Sequence, residues 1–100
     1  MSLNARERHR TSDELGANLV ISGLTTEELR QRLGFTTGQL DAAMAARTSD
    51  PAEVWLVRDY LESVIARRGA TPFPYSVLTE DARRMAQIWF DLATPPPPEP

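Results

Sequence analysis

The chain of 100 residues contains no cysteine, no lysine and a single histidine, His9. Without cysteine it has no disulfides, no thiolate metal ligands and no cysteine nucleophile. One histidine beside no cysteine argues against a transition-metal site, and His9 lies among arginines without a buried serine and carboxylate to complete a triad. The five glycines occur singly, so there is no phosphate-binding loop. We therefore expect no enzyme activity, no cofactor and no metal.

Long apolar runs are also missing, and positive charge is scarce. No stretch approaches the roughly 20 apolar residues of a membrane span, and the arginine-rich N-terminal stretch lacks the core of a signal peptide. The expectation is a cytoplasmic protein without a membrane partner. The net charge of −3 disfavours strong non-specific binding to nucleic acid. All eleven basic side chains are arginine, which reflects either a GC-rich genome or selection for bidentate contacts.

What the sequence does contain is a series of marked helix boundaries. Capping patterns begin helices at Asn4 with Glu7, Thr25 with Glu28, Thr36 with Gln39, Asp50 before Pro51, and Thr79. Thr11 with Glu14 either begins a helix or lies inside the first one. Glycines end helices at positions 23, 34 and 69. The pattern predicts an all-α fold, with five helices at about 4–22, 26–33, 37–46, 51–68 and 80–92.

Prolines divide the rest of the chain. Pro72 and Pro74 disfavour helix before the last helical segment, so residues 72–78 are predicted to form an extended strap over the core, with a short strand as the alternative. We expect residues 1–93 to form one compact domain. Residues 94–100 are predicted to be a disordered, proline-rich tail, and a ligand for a proline-recognition module is the alternative.

Apolar residues follow helical spacing in the last two helices. The apolar stripe of the fourth helix consists of Val54, Val57, Leu61, Val64 and Ile65. The apolar stripe of the fifth helix consists of Ala82, Met85, Ala86, Trp89 and Leu92. A second set lies off these stripes: Trp55, Leu56, Tyr60, Ile88 and Phe90. Cover by other parts of the same chain is the favoured interpretation of this set, with both tryptophans buried. The alternative is a partner surface.

Residues 25–46 carry the most informative pattern, two short helices joined by a tight turn with glycine. The residues predicted to face inward are Leu29, Leu33, Phe35, Leu40 and Ala43. This segment resembles the helix-turn-helix of the lambda-repressor and Cro type. It departs from that type at Arg30, where those proteins usually have alanine.

If this unit binds double-stranded DNA, the second helix lies in the major groove. The candidate DNA-facing residues are Thr36, Thr37 and Gln39, with Arg30, Arg32 and Arg47 as flanking cations. Gln39 can read adenine, and the threonines can contact phosphate or a thymine methyl. No cation lies between residues 35 and 46, and Asp41 would face phosphates. The arginines could equally be solvated or paired with Glu27, Glu28 and Asp41.

A second candidate site is a polar cluster on the fourth helix, formed by Arg58, Asp59 and Tyr60 beside Trp55. One interpretation is a structural ion pair that ties this helix to the strap or to the first helix. The other is a contact site for a partner or a small ligand.

Over nearly the whole chain except the proline tail, the sequence resembles a small bacterial family of unknown function, domain family 2316. The residues that carry the resemblance are Ser2-Leu3-Asn4, Arg10-Thr11-Ser12, Glu14-Leu15, Gly23-Leu24-Thr25, Leu33-Gly34, Asp50-Pro51, Val54-Trp55, Arg58-Asp59-Tyr60-Leu61, residues 72–79 and Trp89-Phe90. The resemblance implies a helix-turn-helix-like fold and no assigned activity.

Two functions remain open. The first is a DNA-binding transcriptional regulator, which the helix-turn-helix pattern favours by analogy of fold. The alternative is a protein-interaction or dimerisation module that does not bind DNA, which the acidic charge and the uncharged second helix favour. A homodimer is expected, with Leu56, Tyr60, Ile88 and Phe90 as its interface, because repressor-type modules bind paired half-sites.

Overall fold

A computed structural model describes residues 3–89 and 95–98, with the backbone alone at Trp89. This part of the chain contains five α-helices and no strand, which confirms the predicted all-α class. The helices are α1 Ala5–Ser22, α2 Thr26–Leu33, α3 Thr37–Met44, α4 Pro51–Arg67 and α5 Glu80–Trp89. Of the helices described, none is long and apolar enough to cross a membrane.

Local capping explains where the helices begin. At each of the first three helices, the cap side chain accepts a hydrogen bond from the backbone N–H three residues on, and that residue's side chain accepts one from the cap N–H. These three pairs are Asn4 with Glu7, Thr25 with Glu28, and Thr36 with Gln39, as predicted. Asp50 accepts from the N–H of Ala52 at the start of α4. Thr11 and Glu14 lie inside α1 and begin no helix of their own.

The end of α3 differs from the prediction. The helix ends at Met44, two residues earlier than expected, because Ala46 adopts a left-handed conformation with φ of 55°. The N–H of Ala46 then donates to the carbonyl of Ala43, and that of Arg47 donates to the carbonyl of Ala42. This is the Schellman arrangement that glycine usually makes. Because no glycine marks the position, this helix end could not be predicted from local sequence.

The core forms around α4, which packs against α1 and α3. Val57 and Leu61 of α4 are fully buried with Leu15 of α1, Leu29 of α2 and Leu40 of α3 in one apolar cluster. Trp55 and Tyr60, which lie off the main stripe of α4, are buried as well. Burial on several sides makes α4 the central helix of the domain.

The segment 72–78 is irregular, as the strap prediction required, and it is held by polar side chains of α1. Asn18 Nδ2 donates to the carbonyl of Phe73 at 3.0 Å, and its Oδ1 accepts from the N–H of Phe73 at 2.7 Å. Glu14 accepts from the N–H and the hydroxyl of Ser76 at 3.0 and 2.7 Å. Side chains thus satisfy strap backbone groups that a partner strand would otherwise have to satisfy.

Two expectations for α5 are wrong. Met85 was predicted on the buried stripe, and Ile88 was expected to be covered, but their exposed fractions are 50% and 70%. The reason is that α5 contacts the core through Ala82 and Ala86, and among residues 3–89 and 95–98 no side chain covers the face that carries Met85 and Ile88. The side chain of Trp89, together with Phe90 and Leu92, lies outside the described residues.

The predicted tail is described only in part. Residues 95–98 have no regular secondary structure, and residues 94, 99 and 100 lie outside the described part of the chain. The domain boundary at residue 93 therefore stays a prediction.

Candidate functional site

The helix pair α2–α3 has the inward packing that its sequence predicts. Gly34 ends α2 with φ of 70°, and α3 begins after Thr36, so three residues connect the helices. Leu29, Phe35, Leu40 and Ala43 are all buried, and Leu33 packs against the same cluster. One side of the pair is thereby fixed to the core, and Thr36, Thr37 and Asp41 are exposed on the opposite side.

Arg30 bonds within its own helix and across the turn. Its Nε donates to Oε2 of Glu27 at 2.9 Å, and its Nη1 donates to the carbonyl of Phe35 at 3.0 Å. The bond from Arg30 lowers the pKa of the exposed Glu27 carboxyl and raises the pKa of the Arg30 guanidinium. A long side chain fits here because it lies over the turn, with its charge paired, instead of filling the space between the helices.

Two more of the candidate residues are bonded inside the protein. Nη1 of Arg32 donates to the hydroxyl of Tyr60 at 3.2 Å. Nε2 of Gln39 donates to Oε2 of Glu53 at 3.2 Å, while its Oε1 accepts from the N–H of Thr36 at 2.8 Å. Both polar ends of the Gln39 amide therefore have protein partners. This placement was not predicted, since Glu53 is 14 residues further along the chain.

The remaining candidates, Thr36, Thr37 and Arg47, are exposed, and so is Asp41. Among the residues described, the Arg47 guanidinium makes no hydrogen bond and no ion pair. On the α3 side of the molecule, the Arg47 cation without an ion pair therefore occurs together with the carboxylates of Asp41 and Glu53.

The second candidate cluster is built around Arg58, whose side chain is only 5% exposed. Its Nε donates to the carbonyl of Leu78 at 2.7 Å, and this hydrogen bond links α4 to the strap. The guanidinium lies 5.5 Å from the ring centre of Trp55 and 4.7 Å from that of Tyr75. Two aromatic faces and a carbonyl thus stabilise a cation in a site with little water.

An ion pair completes this cluster from α5. Arg83 donates to both carboxylate oxygens of Asp59, from Nη1 at 2.8 Å and from Nη2, and its guanidinium lies 4.9 Å from the ring centre of Trp55. These bonds raise the pKa of Arg83 further above its usual range. The sequence suggested an ion pair to the strap or to the first helix, whereas the ion pair of Asp59 joins α4 to α5. The sequence did contain an indication that Arg83 faces the core. Arg83 lies three residues before Ala86, and residues three apart share a face of a helix.

Carboxylates surround both cations of this cluster. Glu62 and Glu80 approach the Arg58 guanidinium at 3.4 and 3.6 Å, and Glu80 also accepts from Nε of Arg83 at 3.0 Å. Two cations therefore meet three carboxylates, and each guanidinium bonds to protein groups. An arrangement of this kind holds the strap and α5 on α4.

The groups with potential for catalysis or metal binding are dispersed. His9 lies 3.4 Å from Asp13 on an exposed turn of α1, remote in sequence from the α4 cluster. Within residues 3–89 and 95–98, no group of three or more histidine or carboxylate side chains is arranged to hold a metal ion.

The fold and the cluster define an all-helical domain in which a central helix fixes an irregular strap and a final helix through buried arginine contacts. The chain belongs to a bacterial protein family described as "Uncharacterized protein conserved in bacteria (DUF2316)", whose family model matches residues 1–91. No curated protein and no solved structure matches the chain.

Proposed function

We propose that this protein is a non-catalytic module of helix-turn-helix type that works through protein contacts, with a second copy of the chain as its partner. The helix-turn-helix architecture is supported by the three-residue connection between α2 and α3 and by the burial of their inward residues. The acidic composition of the chain favours a dimerisation module over a DNA-binding protein.

The observation that carries the proposal is the internal bonding of the side chains that would have to reach DNA. Arg30 is neutralised by Glu27, Arg32 bonds to Tyr60, and Gln39 bonds to Glu53. Phosphate contacts supply most non-specific affinity, and each contact needs a cation able to reach the backbone. Base reading by Gln39 would first require the loss of its bond to Glu53.

The protein-contact surface is supported by α5. Met85 and Ile88 are three residues apart on one helix and are both exposed. Apolar pairs at this spacing form the seam along which one helix packs against another. Tyr60 is 1% exposed and cannot serve in the predicted interface, whereas Ile88 keeps its place in it.

The second candidate function is binding to double-stranded DNA. It is favoured by the exposure of Thr36 and Thr37 at the start of α3 and by the uncommitted guanidinium of Arg47. Phosphates are attracted to the N-terminal end of a helix, and Arg47 would add one cation.

Self-association tests the first function. We expect sedimentation equilibrium to show a dimer at tens of micromolar. At that concentration, a dimer with a dissociation constant of about 1 μM is mostly formed. Ile88→Asp should give a monomer, because a charge would be buried in the interface. Val20→Asp is the matched control, since Val20 is 80% exposed and lies on α1. A wild-type monomer at these concentrations, or equal effects of the two variants, would contradict the proposal.

A titration with pooled random duplexes at two salt concentrations tests DNA binding. We expect no binding by the wild type, and none by Asp41→Ala, which removes a carboxylate from the α3 side. Asp13→Ala changes the charge equally on α1 and controls for net charge. Binding with a log–log salt slope of about −3, weakened by Arg47→Ala, would instead establish DNA as the target, because three phosphate contacts give such a slope.

A further inference from the structure

A cavity of about 350 Å³ opens beside the start of α4, and it shares Arg47 with the first candidate site and Trp55 with the second. Its inner wall is formed by Val54 and Trp55 of α4, Leu78 of the strap and Ala86 of α5. All four side chains are buried, so elements from three parts of the fold fix its shape. Cavities of this size and apolar character are typical of small-molecule sites.

The polar part of the cavity wall carries positive charge. Arg8 of α1 and Arg47, beyond the end of α3, also line the cavity. Among the residues described, neither guanidinium pairs with a carboxylate: Arg8 donates from Nη1 to the carbonyl of Leu3 at 2.7 Å, and Arg47 has no hydrogen bond or ion pair. Some other arginines, Arg30, Arg58 and Arg83 among them, have carboxylate partners. Two cations without one meet at a single apolar cavity.

The size of the cavity limits what it can hold. Because a water molecule takes about 30 Å³, the cavity has room for roughly a dozen non-hydrogen atoms. An apolar wall does not hold a group of waters well, since each water needs two to four polar partners. The complementary occupant has an apolar body of that size and one anionic end.

We propose that this cavity binds a medium-chain aliphatic carboxylate, with the chain against Val54, Trp55 and Ala86 and the carboxylate between Arg8 and Arg47. Arginine suits this role because its planar fork binds a carboxylate through two parallel hydrogen bonds. The site is independent of the proposed function, since its apolar wall shares no residue with the exposed face of α5. A ligand there would, however, engage Arg47, the cation that the DNA alternative needs.

Calorimetric titration of the full chain with decanoate tests the proposal, with decanol and acetate as matched probes. Decanoate should bind saturably with a stoichiometry of one. Decanol should bind at least ten-fold more weakly because it lacks the charge, and acetate should not bind because it lacks the chain. Equal affinity for decanoate and decanol, or no saturation by decanoate at about 1 mM, would overturn the proposal.

Variants locate the binding. Arg8→Gln and Arg47→Gln should each weaken decanoate at least ten-fold and leave decanol unchanged. Arg10→Gln is the control, since Arg10 is an exposed arginine two residues further along α1 and does not line the cavity. Ala86→Met should fill the cavity and abolish binding, and thermal melting of the free variant verifies that it is folded. If both glutamine variants bind decanoate as well as Arg10→Gln does, the proposal is wrong, whatever the oligomeric state.

Discussion

Asp59 of α4 accepts hydrogen bonds from Arg83 of α5 through both of its carboxylate oxygens. The same Asp59 Oδ1 also accepts from Nη1 of Arg58, which bonds through Nε to the strap. One carboxylate therefore connects the central helix, the strap and the final helix. The aromatic rings of Trp55 and Tyr75 stack on these guanidiniums and limit the access of water.

Removing this carboxylate should destabilise the whole domain. We expect Asp59→Ala to lower the free energy of unfolding by about 2–3 kcal/mol, because Arg58 and Arg83 lose a partner in a site with little water. The loss should be smaller than for a fully buried pair, since Arg83 keeps 21% of its exposure. Denaturant unfolding measures it. The control is Asp81→Ala, which breaks an exposed pair with Arg84 and should change stability by less than about 0.5 kcal/mol.

Trp55 should be a major source of stability. Its side chain is 4% exposed, so Trp55→Ala should lower the free energy of unfolding by about 3–5 kcal/mol through lost contacts and a new void. For a domain of this size, thermal melting should fall by more than 10 °C, at about 4–8 °C per kcal/mol. Val20→Ala, at a position of α1 that is 80% exposed, should change the melting temperature little. A loss of only a degree or two for Trp55→Ala would contradict the burial described above.

The turn after α1 requires glycine for two reasons that substitutions can separate. Gly23 has φ of 76°, and a Cβ at this position would lie 1.7 Å from Nη1 of Arg68, which donates to the carbonyl of Ser22 at 2.6 Å. Gly34 has φ of 70° and no atom within 4 Å of such a Cβ. Gly34→Ala should therefore show only the cost of the left-handed backbone, about 1–2 kcal/mol, whereas Gly23→Ala should also lose the Arg68 bond.

At a third glycine, replacement by alanine should stabilise the protein. Gly38 lies within α3, and a Cβ there would meet nothing within 4 Å. Gly38→Ala should raise the free energy of unfolding by about 1 kcal/mol, because alanine loses less backbone freedom in a helix. Chemical denaturation of the three glycine variants tests the order. Equal stability of Gly23→Ala and Gly34→Ala would contradict a role for Arg68.

Tyr75 should make stability depend on alkaline pH. Burial raises its pKa to about 12, against the smaller opposing effects of the Asn18 amide and of Arg58. The buried hydroxyl has no hydrogen-bond partner of normal geometry among the described residues. Desolvation therefore dominates, and the folded state favours the neutral phenol.

The sign follows from the raised pKa. The unfolded chain releases this proton near pH 10.0 and the folded one near pH 12, so stability is complete below pH 10 and is lost between pH 10 and 12. Between pH 10 and 12, the free energy of unfolding of Tyr75→Phe should fall by about 1–2 kcal/mol less than that of the wild type. Below pH 10 it should be as stable as the wild type or slightly more so, because it removes an unsatisfied hydroxyl. Unfolding measured on both proteins from pH 8 to 12 would contradict this account if the two losses are equal.

Local sequence signals were enough to predict the helices and most of their boundaries. The capping pairs of Asn4, Thr25 and Thr36 act within four residues, so their geometry does not depend on the rest of the fold. The inward side of α2 and α3 could also be predicted, because helical spacing fixes which residues share a face. Ala46 shows where local signals fail, since an alanine in a left-handed conformation carries no mark in the sequence.

Which helix faces contact one another depended on packing between distant parts of the chain. It paired Asp59 with Arg83 across 24 residues, gave the buried Glu14 the strap as its partner, and joined Gln39 to Glu53. It also left Met85 exposed on a face that helical spacing alone assigned to the core. Helical periodicity states which residues lie side by side on one helix, but the burial of a side chain depends on whether a second element packs against that face. The physical reason is that contacts between elements distant in sequence form only when the whole chain packs.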